Sequence, residues 1–594
     1  MTRPSPWLRL AVAVLMVMPA IVAIIVIAGH PWHPVDDLAI IDLRVRDVWS
    51  VHAPLTGLFS RPGWNHPGPA MFWLIGILSR VSGAAPWATR VGGPVLAAIA
   101  FGWLAITTGR SGRGPLLAAA TVTGLAFLAF EPWIISEPWN LHIPLPYFIV
   151  FLFLTVLAAS GESRHLIGMS VAASLILQTH IAYGLLLAIG FAYAIGWIIV
   201  DARRSGRLPS RWKSTLAWCS GIWLVSWVPP LVDVAIHWPG NLGKVAKYFA
   251  HGAYTHVGFP KATQIFADEF RPLPPWLGAT ERTEALTGHA IPASIVWLLI
   301  PLALLVIGVL AARRTGSRLM TRAVAFAAIL MAGAIVSISR ADGPYAYTFQ
   351  WREIVAAFLV VMCGWPCATL LVRRYHASRV VVVFAACAVL VWGAVGLGIA
   401  AGNNDPGPLE IRERDLATMT PSIRRAHVQG RRIFVHATGG TLPTLFGGVV
   451  DELDRDEAHV LVKDQQGRIY GDQRRVGHQR VDETWFVTEQ GSTIPALLAQ
   501  PGARLLAATS PLTRRENLEL DRLQAQLRKE LLAVGQPKAL ANLEQPWIAL
   551  LLRDVPGIDH RIAERISALD AKISLHNDCR CAIVVVPGEP ATRS

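Results

Sequence analysis

The residues best equipped for chemistry cluster near the N-terminus, in HPWHPVDDLAIIDLRVRDVWSVHAPLTGLFSRPGWNHPGPAMFW from His30 to Trp73. Asp36 and Asp37 are adjacent, and Asp42 and Asp47 follow with Arg44 and Arg46 between them. Together with His33, the first two carboxylates have ligand types that suit a divalent cation such as Mg2+ or Mn2+, although their spacing is not diagnostic. The plainer reading is that the acids solvate a surface helix and pair with Arg44 and Arg46. A second group, Arg340 and Arg352, brackets ADGPYAYTFQW. A guanidinium is a planar fork that matches phosphate oxygens, but an arginine beside Tyr345, Tyr347 and Trp351 is equally placed to snorkel at a membrane boundary. His66, Asn140, His142 and His180 lie at the ends of apolar segments, where they could hydrogen-bond a polar ligand or serve structure alone.

The elements that must hold these groups are mostly membrane spans. Of 594 residues 53% are hydrophobic and 16% charged, against about 25% charged in a soluble chain. The deficit is gathered into runs long enough to cross roughly 30 Å of hydrocarbon. Eleven spans are predicted, over 8–28, 91–108, 114–131, 143–160, 165–179, 181–200, 215–236, 292–311, 323–338, 353–373 and 380–400. The run 8–28 is too long for a signal-peptide core and reads as a retained first span. The net charge of +14 resides largely in short loops, such as Arg203, Arg204 and Arg207 or Arg313, Arg314 and Arg318. That distribution is the positive-inside pattern of a multi-pass plasma-membrane protein with a cytoplasmic N-terminus, and it argues against nucleic acid as a partner.

Span parity puts 29–90, 132–142, 237–291, 339–352 and 401–594 outside. The apolar segment 69–82 is short, and placing it at the outer interface keeps every arginine-rich loop inside. The long loop 237–291, with Lys244, Lys247, Tyr254 and PLPPW, reads as a cap or acceptor-binding loop. Start of the first outer loop reads as an amphipathic helix, with Leu38, Ile41, Val45 and Val48 as its apolar stripe and its carboxylates toward water.

Beyond Asn403–Leu409 the sequence changes character. Short β-rich runs (Ile433–Ala437, His459–Lys463, Thr484–Thr488, Arg504–Ala508, Ala582–Val586) alternate with helical patterns. The clearest of these covers 513–534, with Leu520, Leu523, Leu527, Leu531 and Val534 on one side. The expected fold class is therefore an α-helical polytopic membrane domain, 1–400, followed by an extracytoplasmic α/β domain, 401–594. His436 with Thr438-Gly439-Gly440 lacks the lysine and spacing of a P-loop and reads as an ordinary strand-to-helix turn. Cys579 and Cys581 are too close for an easy bridge, so no disulfide is expected.

The arrangement of Asp36-Asp37, Arg44, Asp47, HPGPAMFW and Arg90, with echoes in PWNLHIPLPYF and Gln178-Thr179-His180, resembles the GT-C class of membrane glycosyltransferases, particularly its actinobacterial members. The resemblance covers about 1–400 and is strongest over 36–90. It implies two juxtamembrane helices in the first outer loop, the second being 69–82. It also implies a polyprenyl-phosphate-linked sugar as donor and a cell-wall glycan, glycolipid or protein as acceptor. By position Asp37 resembles the catalytic carboxylate, with Asp36 second and Asp42, Arg44 and Asp47 in supporting roles. Arg340 and Arg352 would face the donor phosphate, and His66, Asn140, His142 and His180 the substrates. A lipid transporter would instead be expected to show midspan charges and repeated halves, and neither is evident. A scaffold or sensor would use the tail as its binding module.

Overall fold

A computed structural model describes residues 4–130, 133–251, 256–279, 281–284, 288–374, 379–403, 408–438, 444–491, 493–535, 557–575 and 580–588. The chain forms two compact units. One comprises Met1–His30 and Ala53–Asn403, the other Pro31–His52 and Asn404–Ser594.

The first unit is helical because its sequence is a succession of apolar runs whose backbone groups must be satisfied internally. Each of the eleven predicted spans coincides with a helix or helix pair. Among the described residues six are long and apolar enough to cross a membrane: Pro6–Ile27, Pro86–Ser111, Ile181–Ser205, Ile295–Thr315, Arg318–Ser339 and Ala346–Arg374. A seventh is the pair Trp212–Ser226 and Val228–Ile236, bent by 45°, where Pro229 and Pro230 open the second helix. The other four, Arg113–Ala129, Pro144–Ala159, His165–Thr179 and Val381–Gly396, are shorter. Pro144–Ala159 is buried at every position, so it is sheathed by protein. Segment 69–82 folds as Ala70–Val81, and 12 residues at 1.5 Å each reach only about 18 Å, too short to span.

Arginine and glycine together end the spans on the positive side. Gly206 and Gly316 take left-handed conformations after Arg203–Arg204 and Arg313–Arg314, the usual C-cap. Buried Arg322 then ties two spans together, pairing with Asp201 at 2.6 Å and lying over the Trp197 ring at 4.2 Å.

The second unit contains a five-stranded mixed sheet. Strands β1 (Phe59–Ser60) and β2 (Trp64–Asn65) form a small hairpin in the first unit; β3 (Arg432–Thr438), β4 (His459–Leu461), β5 (Glu483–Thr488), β6 (Arg504–Thr509) and β7 (Cys581–Pro587) form the sheet in the order β4-β3-β5-β7-β6. β3 runs parallel to β4 and β5, while β7 is antiparallel to β5 and β6. Central β7 is buried from Cys581 to Val586, as a strand covered on both faces must be. Helix Arg514–Val534 opens with a capping box between Thr513 and Glu516, and its buried Leu520, Leu527 and Leu531 pack on Ile562, Ile566 and Leu569.

Three expectations need correction here. The segment Pro31–His52 belongs with the C-terminal unit, not with the membrane domain. Its helix, Asp36–Asp47, turns only its first two carboxylates toward water: Asp42 and Asp47 are buried along with Leu38, Ile41 and Val45. The partner is helix Thr444–Arg455, whose charges complement it. Finally, Cys581 is disulfide-bonded, where no disulfide was expected; Cys579 lies outside the described residues. Residues 404–407 of the connecting segment, together with Gly439, Gly440 and Tyr254, lie outside the described residues.

Candidate functional site

In the first unit, the outer-loop candidates converge in two groups. The hairpin β1–β2 carries the chain to His66, and Asn241 clamps it. Asn241 receives the Asn65 amide at 2.8 Å and donates to the Asn65 carbonyl at 2.7 Å, while its own amide is capped by Asp233 at 2.6 Å. Loop 237–291 thus fixes the first outer loop through helix Gly240–His251. The His66 ring lies 4.7 Å from that of His180, and its Nδ1 accepts from the Ile181 amide at 3.4 Å. Gly68 donates its amide to the Gln178 carbonyl at 3.2 Å, so HPGP and QTH form one joint.

Glycine is required at that joint: a Cβ at Gly68 would collide with the Gln178 side chain. Gln178 is itself held through Ser174 and the Ser226 carbonyl, both at 3.0 Å. Gly68→Ala is therefore expected to cost about 1–3 kcal/mol from overpacking, seen as a lower denaturation midpoint in detergent. An unchanged midpoint would mean that the joint yields freely.

Burial sets the charge of these histidines. It holds His66 well below the ordinary histidine range, with His180 adding to the shift, and lowers His180 to about 4 and His142 to about 3. All three are neutral near pH 7, each offering one donor and one acceptor. They suit sugar hydroxyls and cannot balance phosphate. His180 Nδ1 is buried without a hydrogen-bond partner among the described residues. Asn140 and His142 are likewise buried, with His142 Nδ1 3.8 Å from Glu137 and its ring edge-on to Trp139 at 4.9 Å.

The second group surrounds the 340–347 turn. Trp139 stacks 6.3 Å from Tyr347. Arg61, which the sequence reading overlooked, lies 3.5 Å from the Tyr345 ring centroid and donates to the Asp342 carbonyl at 3.2 Å. Arg340 is exposed, with no ion-pair partner for its side chain among the described residues. Among the described residues these two guanidiniums are cations at the turn.

Arg352 is not one of them. It is 1% exposed, donates to Glu269 at 2.7 Å and to Glu281, and also bonds the Ala346 carbonyl at 3.3 Å. Burial pushes the Glu269 carboxyl up to about 7 against the pull of Arg352. With its donors spent on protein carboxylates, Arg352 anchors loop 237–291 to its span, and the expected phosphate role is withdrawn.

The second unit holds the carboxylates. Asp42, Arg44 and Asp47, expected at a substrate, are committed to a charge lattice. Arg474 grips Asp47 through two bonds of 2.9 and 3.0 Å and reaches Asp454 at 2.7 Å. Arg46 meets Asp42 at 3.1 Å, Asp451 at 2.5 Å and also Asp454; Arg455 joins Asp42 to Asp451. Arg44 bonds Asp47 at 2.6 Å. Four carboxylates face four guanidiniums, the pairing that buried charges require. His33, a possible cation ligand with Asp36 and Asp37, meets Glu452 at 2.6 Å and Thr420 at 3.3 Å through its Nδ1.

Asp36 and Asp37 stand apart from that lattice. Asp36 is exposed, Asp37 partly so, and Asp36 adopts a positive φ of 50°, which aspartate tolerates better than most residues. Crowding by protein, then the charges of Asp37 and Glu489, push the Asp36 carboxyl up to about 7. Buried Tyr470 is raised by burial and by the charges of the same two aspartates. The carboxyl pair is thus predisposed to hold or exchange a proton near neutral pH.

This architecture is shared, as a fold, with a solved membrane-protein structure. Among solved structures, the chain is similar to ArnT from Cupriavidus metallidurans bound to undecaprenyl phosphate, at 14% identity and a TM-score of 0.52, over 83% of this chain and 96% of that one. The apo form of the same protein gives 13% identity and a TM-score of 0.48, covering 83% and 95%. No protein-family model matches the chain, and no curated protein does.

Proposed function

We propose that this chain is a membrane glycosyltransferase that moves a sugar from a polyprenyl-phosphate carrier to an acceptor on the outer face of the membrane. The fold carries the reading, since the neighbour that shares it over most of both chains binds undecaprenyl phosphate. On this reading, with eleven spans as the sequence suggests, the arginine-rich loops are cytoplasmic and the C-terminal segment is extracytoplasmic. A disulfide at Cys581 suits an oxidising outer compartment.

In this reading Asp37 takes the proton from an acceptor hydroxyl as its oxygen attacks the anomeric carbon. The bond from that carbon to the carrier phosphate breaks, and polyprenyl phosphate leaves with the electron pair, giving inversion. Arg340 and Arg61 balance the phosphate charge, and the neutral His66, His142, His180 and Asn140 bond sugar hydroxyls. The acceptor is a cell-wall glycan, a glycolipid or a protein.

The pair of aspartates sets a pH dependence. Asp36 is raised to about 7, so it is protonated below that pH and charged above it. Its charge makes Asp37 a stronger base. Turnover is therefore expected to rise between pH 6 and about 8 and then level. Asp36→Asn should abolish that inflection, as read from a pH–rate profile.

The functional test incubates membranes carrying the chain with a panel of polyprenyl-phosphoryl pentoses and hexoses. Consumption of one donor supports the transferase and names its sugar class. Movement of the intact lipid between leaflets, without cleavage, would make it a transporter.

A further inference from the structure

The helix bearing the carboxyl pair is built into the C-terminal unit at both ends, although almost 400 residues of sequence lie between them. At its start, helix Thr444–Arg455 presents two adjacent glycines to it. A Cβ at Gly448 would come within 2.8 Å of the Pro34 carbonyl and 3.2 Å of Val35, and one at Gly447 within 3.2 Å of the Asp36 carbonyl. The backbone that carries Asp36 and Asp37 therefore rests directly on the backbone of that helix. At its far end, the lattice of Asp42, Asp47, Arg46, Arg455, Arg474 and Asp454 closes the same contact. The two devices do different work. The glycines set how closely the helices approach. The arginines fix register, because Arg474 binds Asp47 in the bidentate geometry that only one sliding position allows.

We propose that the C-terminal unit is the positioning element of the catalytic carboxylates, with Arg474, Asp47, Gly447 and Gly448 as positioning residues that act through Asp36 and Asp37. This inference rests on the transferase reading above. On it, the soluble unit is not an appended binding module, because the acidic helix is a structural part of it. A displacement of about 1 Å at a reacting group can cost as much as 100-fold in rate, so a loosened helix would lower kcat while donor binding, made elsewhere, keeps KM.

The test uses the full-length chain in nanodiscs with two readouts: hydrogen exchange of the amides of residues 36–47, and kcat and KM for the donor that the wild type consumes. Arg474→Met should speed exchange in that helix at least tenfold and lower kcat at least tenfold, with KM within about twofold. The exchanged pair Asp47→Arg with Arg474→Asp should recover part of the loss. Gly448→Ala, which pushes on the Leu416 side chain and the Pro34 carbonyl without touching a charge, should repeat the kcat effect and serves if Arg474→Met does not fold. Unchanged exchange, faster exchange with unchanged kcat, or a rise in KM alone would each overturn the proposal. A wild type that turns over no donor would instead sink the transferase reading, and this inference with it.

Discussion

Asp37→Asn is expected to lower turnover of the lipid-linked donor by about 10² to 10⁴, the range typical for loss of a general base. Donor KM should stay within a few fold, because the substitution keeps the shape of the side chain and removes only its proton affinity. Asp37 is the candidate for this effect because its position resembles that of the family's catalytic carboxylate and it is partly exposed, whereas Asp42 and Asp47 are buried. Those two are locked to Arg455 and Arg474, and their loss would act through the fold. Asp36→Asn is predicted to cost less and to show itself in the pH profile. Should Asp36→Asn be the inactive variant and Asp37→Asn the active one, the roles within the pair are reversed. Comparable activity in both would remove the carboxyl pair from the mechanism.

The second large effect is on stability, at Arg352. Replacing it with Met leaves Glu269, Glu281 and Glu353 clustered without their cation, two of them buried. Breaking a buried pair in this way costs about 3–5 kcal/mol. The sign with pH follows from Glu269, which burial already raises to about 7. The folded state then holds protons that the unfolded state releases, so the variant is most stable on the acid side and weakens as pH rises through about 7. Denaturant titration in detergent at pH 5.5 and 8 measures this. A variant as stable as wild type at pH 8 would mean that Arg352 does not anchor the loop.

What was legible in the sequence was what local pattern encodes. Apolar runs of span length became helices wherever they occurred, and the β-rich runs of the tail became strands within a residue or two of their predicted limits. The helix at 513–534 was signalled by its leucine spacing, while the capping box of Thr513 and Glu516 at its start went unread. The carboxyl pair was also visible, because two adjacent aspartates before an apolar stripe are unusual in so hydrophobic a chain.

What the sequence hid was every contact between distant segments. The acidic helix reads as amphipathic in isolation, and its charged side was assigned to water because nothing nearby could neutralise it. Its partners, Asp451, Asp454, Arg455 and Arg474, lie over 400 positions away. Arg352 looked available for the same reason, since Glu269 and Glu281 are 83 and 71 residues upstream. Arg61 was passed over because a lone arginine in a turn carries no spacing signal. Its value comes from Tyr345 and Asp342, which only folding brings to it. His66 and Gln178-Thr179-His180 were each noticed, but their joint was not.

The central claim is that this chain breaks the bond between a sugar and a polyprenyl phosphate. Its most direct test supplies the purified protein in nanodiscs with the donor identified in membranes, together with a membrane-derived acceptor, and follows both lipid products by mass spectrometry. The account predicts polyprenyl phosphate released in equal amount to glycosylated acceptor. Recovery of the intact donor, with the acceptor unmodified and the protein folded, would contradict it.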